Sequence, residues 1–289
     1  YNERKGIFEV HVRNLKLAED VDLEFFSKQT PGFSGADIAN VCNEAALIAA
    51  RNGKQSIEKS DFLAAIDRII GGLEKRGNII SPDEKKTIAI HESGHATVSW
   101  MLKHASPLVK VTIVPRGKSL GAAWYLPEER HITTTEQLMD EMAALLGGRA
   151  AEEVLIGKVS TGALNDLERA TKQAYAMVVY YGLSKLGNIS YYDSSGEREY
   201  SFSKPYSEKT AEEIDREVHS IIDEAYQTAK KILSENKDKL TQLAKQLQEK
   251  EVIFTEDMEK IYGKRAFEIE NIEQPKEDKT TENSENITA

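Results

Sequence analysis

Residues 81–100 read SPDEKKTIAIHESGHATVSW, and this stretch decides the local fold and the chemistry of the chain. Ser81 is a favourable N-cap residue, Pro82 occupies the first helical position, and Glu84 completes a capping box. These start signals predict a helix that runs to about Lys103.

The same helix carries a pattern of histidines and a glutamate, His91-Glu92-Ser-Gly-His95. Residues four apart share one helix face, so both imidazoles can bind one ion. Two neutral imidazoles and a carboxylate, with one open position, suit a catalytic zinc ion. Glu92 lies one step round the helix, where it can take a proton from a water molecule. A chance match on an amphipathic helix is the alternative, but the independently predicted helix favours the metal site.

The third ligand has to come from elsewhere in the chain. Met101 stands where a metzincin has its third histidine, so that class is excluded. Residues 105–127 contain no acidic residue. The candidates that remain are Glu152 or Glu153 on one side and Asp166 on the other. The glutamates could instead be solvated or support the ligands, and Asp166 could simply favour a helix N-terminus, so spacing leaves both options open.

The rest of the chain predicts a mainly α fold with a small β-sheet. Residues 1–75 are expected to be all-helical, and residues 109–114 and 120–126 are expected to form two strands. From the cap and stop signals, the predicted helices begin at or near Ser34, Asp61, Thr134, Leu164, Ser207 and Thr255.

Composition restricts the possible classes of protein. Hydrophobic residues make up 40% of the 289 residues, and no apolar run is long enough to cross a membrane. The single cysteine, Cys42, excludes internal disulfides and a cysteine-built zinc site. The net charge is −10, of which residues 268–289 contribute −5 through seven acidic residues and two lysines. This acidic balance argues against nucleic acid as a partner, and the tail is expected to be disordered.

Four motifs in order resemble the C-terminal part of FtsH-type AAA+ zinc metalloproteases, peptidase family M41. They are Ala89–Ala96, Val114–Gly117 with Leu120–Pro127, Gly147–Glu153 and Ser160–Asp166. The resemblance covers about residues 1–265. It implies that Asp166 is the third zinc ligand beside His91 and His95, and that Glu92 is the general base.

The N-terminal region resembles the helical lid of an AAA+ ATPase. The matching segments are Phe8–Asn14, Leu17–Leu23 and Thr30–Asp37. The resemblance implies that His11, Gly35 and Ala36 contact a nucleotide in the full-length protein. A capping histidine and an ordinary tight helix entry are the simpler interpretations.

The ATPase core itself is not found in this sequence. No G-x-x-x-x-G-K-[ST] phosphate loop is present: Gly117-Lys-Ser119 resembles its end, but Thr112 stands where the first glycine is required. The chain is therefore not expected to hydrolyse ATP unaided. Because it also begins without Met or a signal pattern, we expect a fragment of a longer protein, with ATP and Mg²⁺ binding only in the full-length form.

The resemblance implies a lid at residues 1–75 and a peptidase domain at 76–267, and the composition predicts a disordered acidic tail at 268–289. It also implies an ATP-dependent zinc endopeptidase subunit that degrades unfolded and membrane proteins as a homo-hexamer, or as a hetero-hexamer with a close relative. An upstream segment is expected to anchor it, with this part on the cytoplasmic face of a bacterial inner membrane or at an organellar inner membrane.

Two rival functions and one structural question are also left open by the sequence. A non-catalytic ring-assembly module would close its zinc site with a fourth ligand, for example His104, His131 or His219. A zinc hydrolase of small molecules is the second rival. The strand at 120–126 is either an edge that pairs with an extended substrate or an ordinary internal strand.

Overall fold

The computed structural model describes residues 2–30, 32–71, 81–115, 120–125, 132–191 and 205–267. Within these ranges it contains ten α-helices, one 3₁₀ turn and a three-stranded sheet, so the predicted mainly α fold is confirmed. None of the described helices is both long and apolar enough to cross a lipid bilayer. The predicted acidic tail lies outside the described residues.

The helices differ in length and the strands are short. The helices are α1 (Asn2–His11), α2 (Leu23–Gln29), α3 (Gly35–Arg51), α4 (Lys59–Gly71), α5 (Pro82–Met101), α6 (Thr135–Ile156), α7 (Leu164–Val179), α8 (Glu208–Glu235), α9 (Lys237–Lys250) and α10 (Thr255–Tyr262). The 3₁₀ turn is Thr161–Ala163, and the strands are β1 (Leu108–Thr112), β2 (Ala122–Tyr125) and β3 (Val252–Phe254).

Helices α1 to α4 surround a hydrophobic core of their own. Phe26 and Phe62 stack at its centre with ring centroids 4.8 Å apart, and both side chains are fully buried. Helix α3 begins with the predicted cap: Ser34 and Asp37 form a capping box. The all-helical prediction for this region therefore holds for its described residues.

Helix α5 contributes to both of the other hydrophobic clusters. It begins with the predicted Ser81–Glu84 capping box, and every residue from 89 to 100 is buried. It packs against α6, α8, α9 and β1. Small residues make this all-round packing possible: a Cβ atom on Gly94 would lie 2.3 Å from the carbonyl oxygen of Gly147 in α6.

We expect Gly94→Ala to destabilise the zinc-free protein by about 1–3 kcal/mol, because α5 and α6 would have to move apart. Urea denaturation followed by circular dichroism measures the free energy of unfolding. Gly6→Ala is the matched control, since Gly6 lies inside α1 with no atom near its added methyl group. That change should stabilise the protein by about 0.5–1 kcal/mol. Equal stability of the Gly94→Ala variant and the wild type would contradict the close crossing.

The strands form an antiparallel sheet in the order β2-β1-β3. Strand β2 therefore lies at an edge of the sheet formed by the described residues. Strand β3 was not predicted, because three residues are too few for a recognisable alternation. The predicted capping role of Thr255 is wrong: Thr255 is already helical, and its hydroxyl donates instead to the Leu108 carbonyl oxygen at 2.8 Å.

Candidate metal centre

The structure brings the three predicted metal ligands together. The Asp166 Oδ2 atom lies 3.3 Å from Nε2 of His91 and 3.5 Å from Nε2 of His95. Zinc bonds of about 2.0–2.2 Å in a tetrahedral site place ligand atoms roughly 3.3 Å apart. The donor set and its spacing therefore fit a zinc ion held by these three side chains.

The other ring nitrogen of each histidine is already engaged. His95 Nδ1 lies 2.8 Å from the Ala144 carbonyl oxygen, and His91 Nδ1 lies 2.7 Å from Oε1 of Glu152. A carbonyl or carboxylate oxygen only accepts, so both Nδ1 atoms carry the proton. In the neutral form of each ring, Nε2 then has the lone pair that a metal ion requires.

The two glutamates that competed with Asp166 have other partners. Glu152 accepts hydrogen bonds from the backbone N–H and the hydroxyl of Ser160, in addition to its bond with His91. Glu153 accepts from Lys230 at 2.8 Å and from the hydroxyl of Tyr226. The geometry therefore favours Asp166 as the third ligand and gives Glu152 the role of orienting His91.

A turn after α6 delivers Asp166 to the site. Gly157 ends α6 in the left-handed region with φ of 75°, which a residue with a side chain rarely adopts. The chain then passes Ser160, held by Glu152, and enters the 3₁₀ turn and α7, whose first turn contains Asp166.

The electrostatics of the site favour a bound cation. Burial lowers the pKa of His91, but hydrogen bonds with Asp166 and Glu152 outweigh it and raise this pKa to about 10. Burial raises the pKa of Asp166, yet hydrogen bonds with His91 and His95 hold it well below its usual range. A site that stabilises a proton on His91 also stabilises a metal cation, which has to displace that proton to bind.

Glu92 occupies a narrow slot beside the ligands. Only 8% of the residue is exposed, and burial raises its pKa. Gly121, just before β2, lies directly against it: a Cβ atom there would be 2.7 Å from Cγ of Glu92. A carboxylate with a raised pKa next to a metal site suits a general base that later returns the proton.

The site opens into a large cleft of about 1950 Å³. Its walls come from α5, the edge strand β2, α6 and the start of α7, with Ile70 of α4 at one side. Pockets for small molecules are typically about 300–1,000 Å³. The cleft therefore has room for an extended polypeptide as well as for a small molecule.

The described residues supply no fourth ligand from the expected histidines. The cluster of ligand atoms within 4.8 Å of one another contains His91, His95 and Asp166. His104 and His219, both within the described ranges, are not part of it, whereas His131 lies outside them. The geometry in the described part of the chain is therefore that of an open site.

The predicted nucleotide-contacting residues lie at two helix ends. His11 is the exposed last residue of α1, and Gly35 and Ala36 form the first turn of α3. Gly35 packs against Ile7 of α1, with its nearest atom 4.0 Å from an added Cβ. Contact with a nucleotide stays a prediction.

Two glycines at the site were not identified as functional from sequence. Gly148 of α6 lies against the His91 ring, where a Cβ atom would be 2.4 Å from Nε2, and Gly121 lies against Glu92. A glycine inside an apolar helix or strand often marks a close backbone approach. The two glycines could therefore have been recognised as sites of close approach, but the sequence does not indicate which side chain lies against each of them.

Comparison with known proteins gives matches over almost the whole chain. Residues 78–261 match the model for peptidase family M41, and residues 20–64 match the AAA+ lid domain. An ATP-dependent zinc metalloprotease FtsH of Parabacteroides distasonis is 64% identical over 98% of this chain and 42% of its own. FtsH of Rhodothermus marinus is 55% identical over 92% of this chain and 38% of its own.

A mitochondrial relative is similar over nearly the same region. The mouse mitochondrial inner membrane m-AAA protease component AFG3L2 is 48% identical over 91% of this chain and 33% of its own. The chain thus spans about two fifths, or less, of the length of these relatives.

Proposed function

Because the chain belongs to peptidase family M41, we propose that it is the proteolytic part of an ATP-dependent zinc metalloprotease and cleaves internal peptide bonds. The observation that carries the proposal is the convergence of His91, His95 and Asp166 beside the buried carboxylate of Glu92. The three ligands leave a coordination position for solvent or substrate, as catalytic zinc sites do.

In this proposal His91, His95 and Asp166 hold the zinc ion. When bound, zinc would supply a Lewis acid that acidifies water and polarises a peptide carbonyl. Glu92 takes a proton from the attacking water and passes it to the leaving amine. Glu152 and the Ala144 carbonyl keep the two imidazoles in the orientation that the ligands need.

The substrate is proposed to bind as an extended polypeptide along β2. Among the described residues this strand lies at the sheet edge, and it lines the cleft beside Glu92. Pairing through backbone hydrogen bonds depends little on side chains, so broad sequence tolerance would follow.

The larger assembly is inferred from the relatives. We propose that residues 1–75 form an AAA+ lid and residues 76–267 the peptidase domain. In the full-length protein His11, Gly35 and Ala36 would contact ATP. That protein would form a homo- or hetero-hexamer, anchored in a membrane by a segment outside this chain, and would degrade unfolded and membrane proteins.

Removal of the metal should abolish cleavage reversibly. We expect a zinc chelator to stop hydrolysis of unfolded casein by the full-length protein with ATP, and added zinc to restore it. The products should be peptides from internal cuts, identified by mass spectrometry. A zinc-loaded protein that hydrolyses small esters but leaves casein intact would support a small-molecule hydrolase instead. A stoichiometrically zinc-loaded protein without any hydrolysis would support the ring-assembly alternative.

A further inference from the structure

The sheet next to the metal centre has two faces with different neighbours. On one face, Trp124 of β2 stands opposite Lys110 of β1, with the Lys110 ammonium 5.4 Å from the centroid of the indole ring. Lys110 also forms a buried ion pair with Asp67 of α4 at 2.5 Å. Trp124 packs on the hydrophobic core formed by α1 to α4. The N-terminal helices, called the lid below (residues 2–30 and 32–71), therefore contact this face of the sheet.

The opposite face of the same strand lies on the catalytic helix. Side chains alternate along a strand, so Ala123 and Tyr125 point away from the lid. Both pack on the core that contains α5. Gly121 continues this face and lies against Glu92. Strand β2 is thus held between the lid on one side and the general base on the other.

The contact between the lid and the sheet adds little net stability, so the two can separate. A buried ion pair contributes little net stability, because desolvation of both charges offsets their attraction. The indole Nε1 atom of Trp124 is buried and has no hydrogen-bond partner in the described part of the chain, which costs free energy while the contact is made. Both groups would be hydrated if the lid moved away.

We propose that Asp67, Lys110 and Trp124 are positioning residues for peptide hydrolysis: through them the lid holds β2 against Glu92. The inference rests on the proposed protease function. It follows that a displacement of the lid loosens the strand that binds substrate and shapes the slot of the general base. The zinc ligands lie on α5 and α7, so zinc binding does not depend on this contact.

Charge reversal tests the proposal in the full-length protein. The variants are Asp67→Lys, Lys110→Asp and the double exchange that restores the pair. A short fluorogenic peptide that needs no unfolding serves as substrate, with ATP present, and kcat and KM are measured separately. Each single variant should lower kcat by about 10- to 100-fold, the range expected for a displaced catalytic group, with zinc content unchanged. The double exchange should recover most of the loss.

Arg68→Met is the matched control. Arg68 follows Asp67 in α4 but pairs with Glu44 of α3, so its loss perturbs the lid without touching the sheet. Its kcat should stay near that of the wild type. A charge-reversed variant could lose zinc or melt at a lower temperature than Arg68→Met. In that case Asp67→Asn, which keeps the shape of the side chain, is used instead. Asp67→Asn should lower kcat at least threefold.

The outcomes separate this inference from the proposed function. A wild-type protein that does not cleave the peptide refutes the protease function. An active wild type whose Asp67 and Lys110 variants keep full kcat, or whose double exchange gives no recovery, refutes the positioning role alone. A variant whose KM rises while its kcat stays unchanged also refutes the positioning role, because substrate binding would then change without displacement of Glu92.

Discussion

Replacement of Glu92 by glutamine should lower kcat for peptide hydrolysis by about 10²- to 10⁴-fold, while the protein keeps its zinc. Glutamine has nearly the same shape but cannot accept the proton from water. Because Glu92 does not belong to the cluster of ligand atoms, the metal site should be preserved. Casein degradation in the full-length protein and zinc content by atomic absorption are the two measurements.

The matched control for this variant is Glu153→Gln. Glu153 directly follows Glu152 in α6, but its carboxylate accepts hydrogen bonds from Lys230 and Tyr226 of α8. It should keep nearly full activity. A Glu92→Gln protein that degraded casein at a rate close to that of the wild type would refute the assigned role of Glu92.

The second large effect is expected for Asp166→Asn, which should weaken zinc binding by more than about 100-fold. The amide keeps the shape of the carboxylate but removes the charge that offsets the cation. Competition with a chromogenic chelator measures the zinc Kd. Glu152→Gln should cost less, about 10- to 100-fold, because Glu152 orients His91 without reaching the ion.

The order of these two effects is decisive for the ligand assignment. If Glu152→Gln lost more zinc than Asp166→Asn, the third ligand would be Glu152 and the proposed geometry would be wrong. Equal and small losses would show that neither carboxylate binds the ion.

Local signals predicted the N-caps of α3, α5, α6 and α8 correctly, whereas the cap predicted at Thr255 was wrong. The predicted helix starts at Ser34, Ser81 and Thr134 all form, each with a capping box, because a cap depends on residues only three positions apart. The helical spacing of His91 and His95 is local in the same sense. Such features can be predicted from a short window of sequence.

Contacts between distant segments could not be predicted in the same way. Asp166 is 75 positions from His91, and on spacing alone it was level with Glu152. Only the packing of α5, α6 and α7 decides which carboxylate faces Nε2 and which faces Nδ1. The burial of α5 on all sides and the role of Gly121 beside Glu92 depend on tertiary packing in the same way.

The two imidazoles differ in whether a mutation can change the group that orients them. His95 is oriented by the main-chain oxygen of Ala144, which every amino acid provides, whereas His91 is oriented by the side chain of Glu152. Of the two hydrogen bonds that orient the imidazoles, substitution can therefore remove only the one to His91. Variation of position 152 would therefore be the way to lower the zinc affinity in steps or to admit another metal. The hydrogen bond between His95 and the main-chain oxygen at position 144 would stay the same in all such variants.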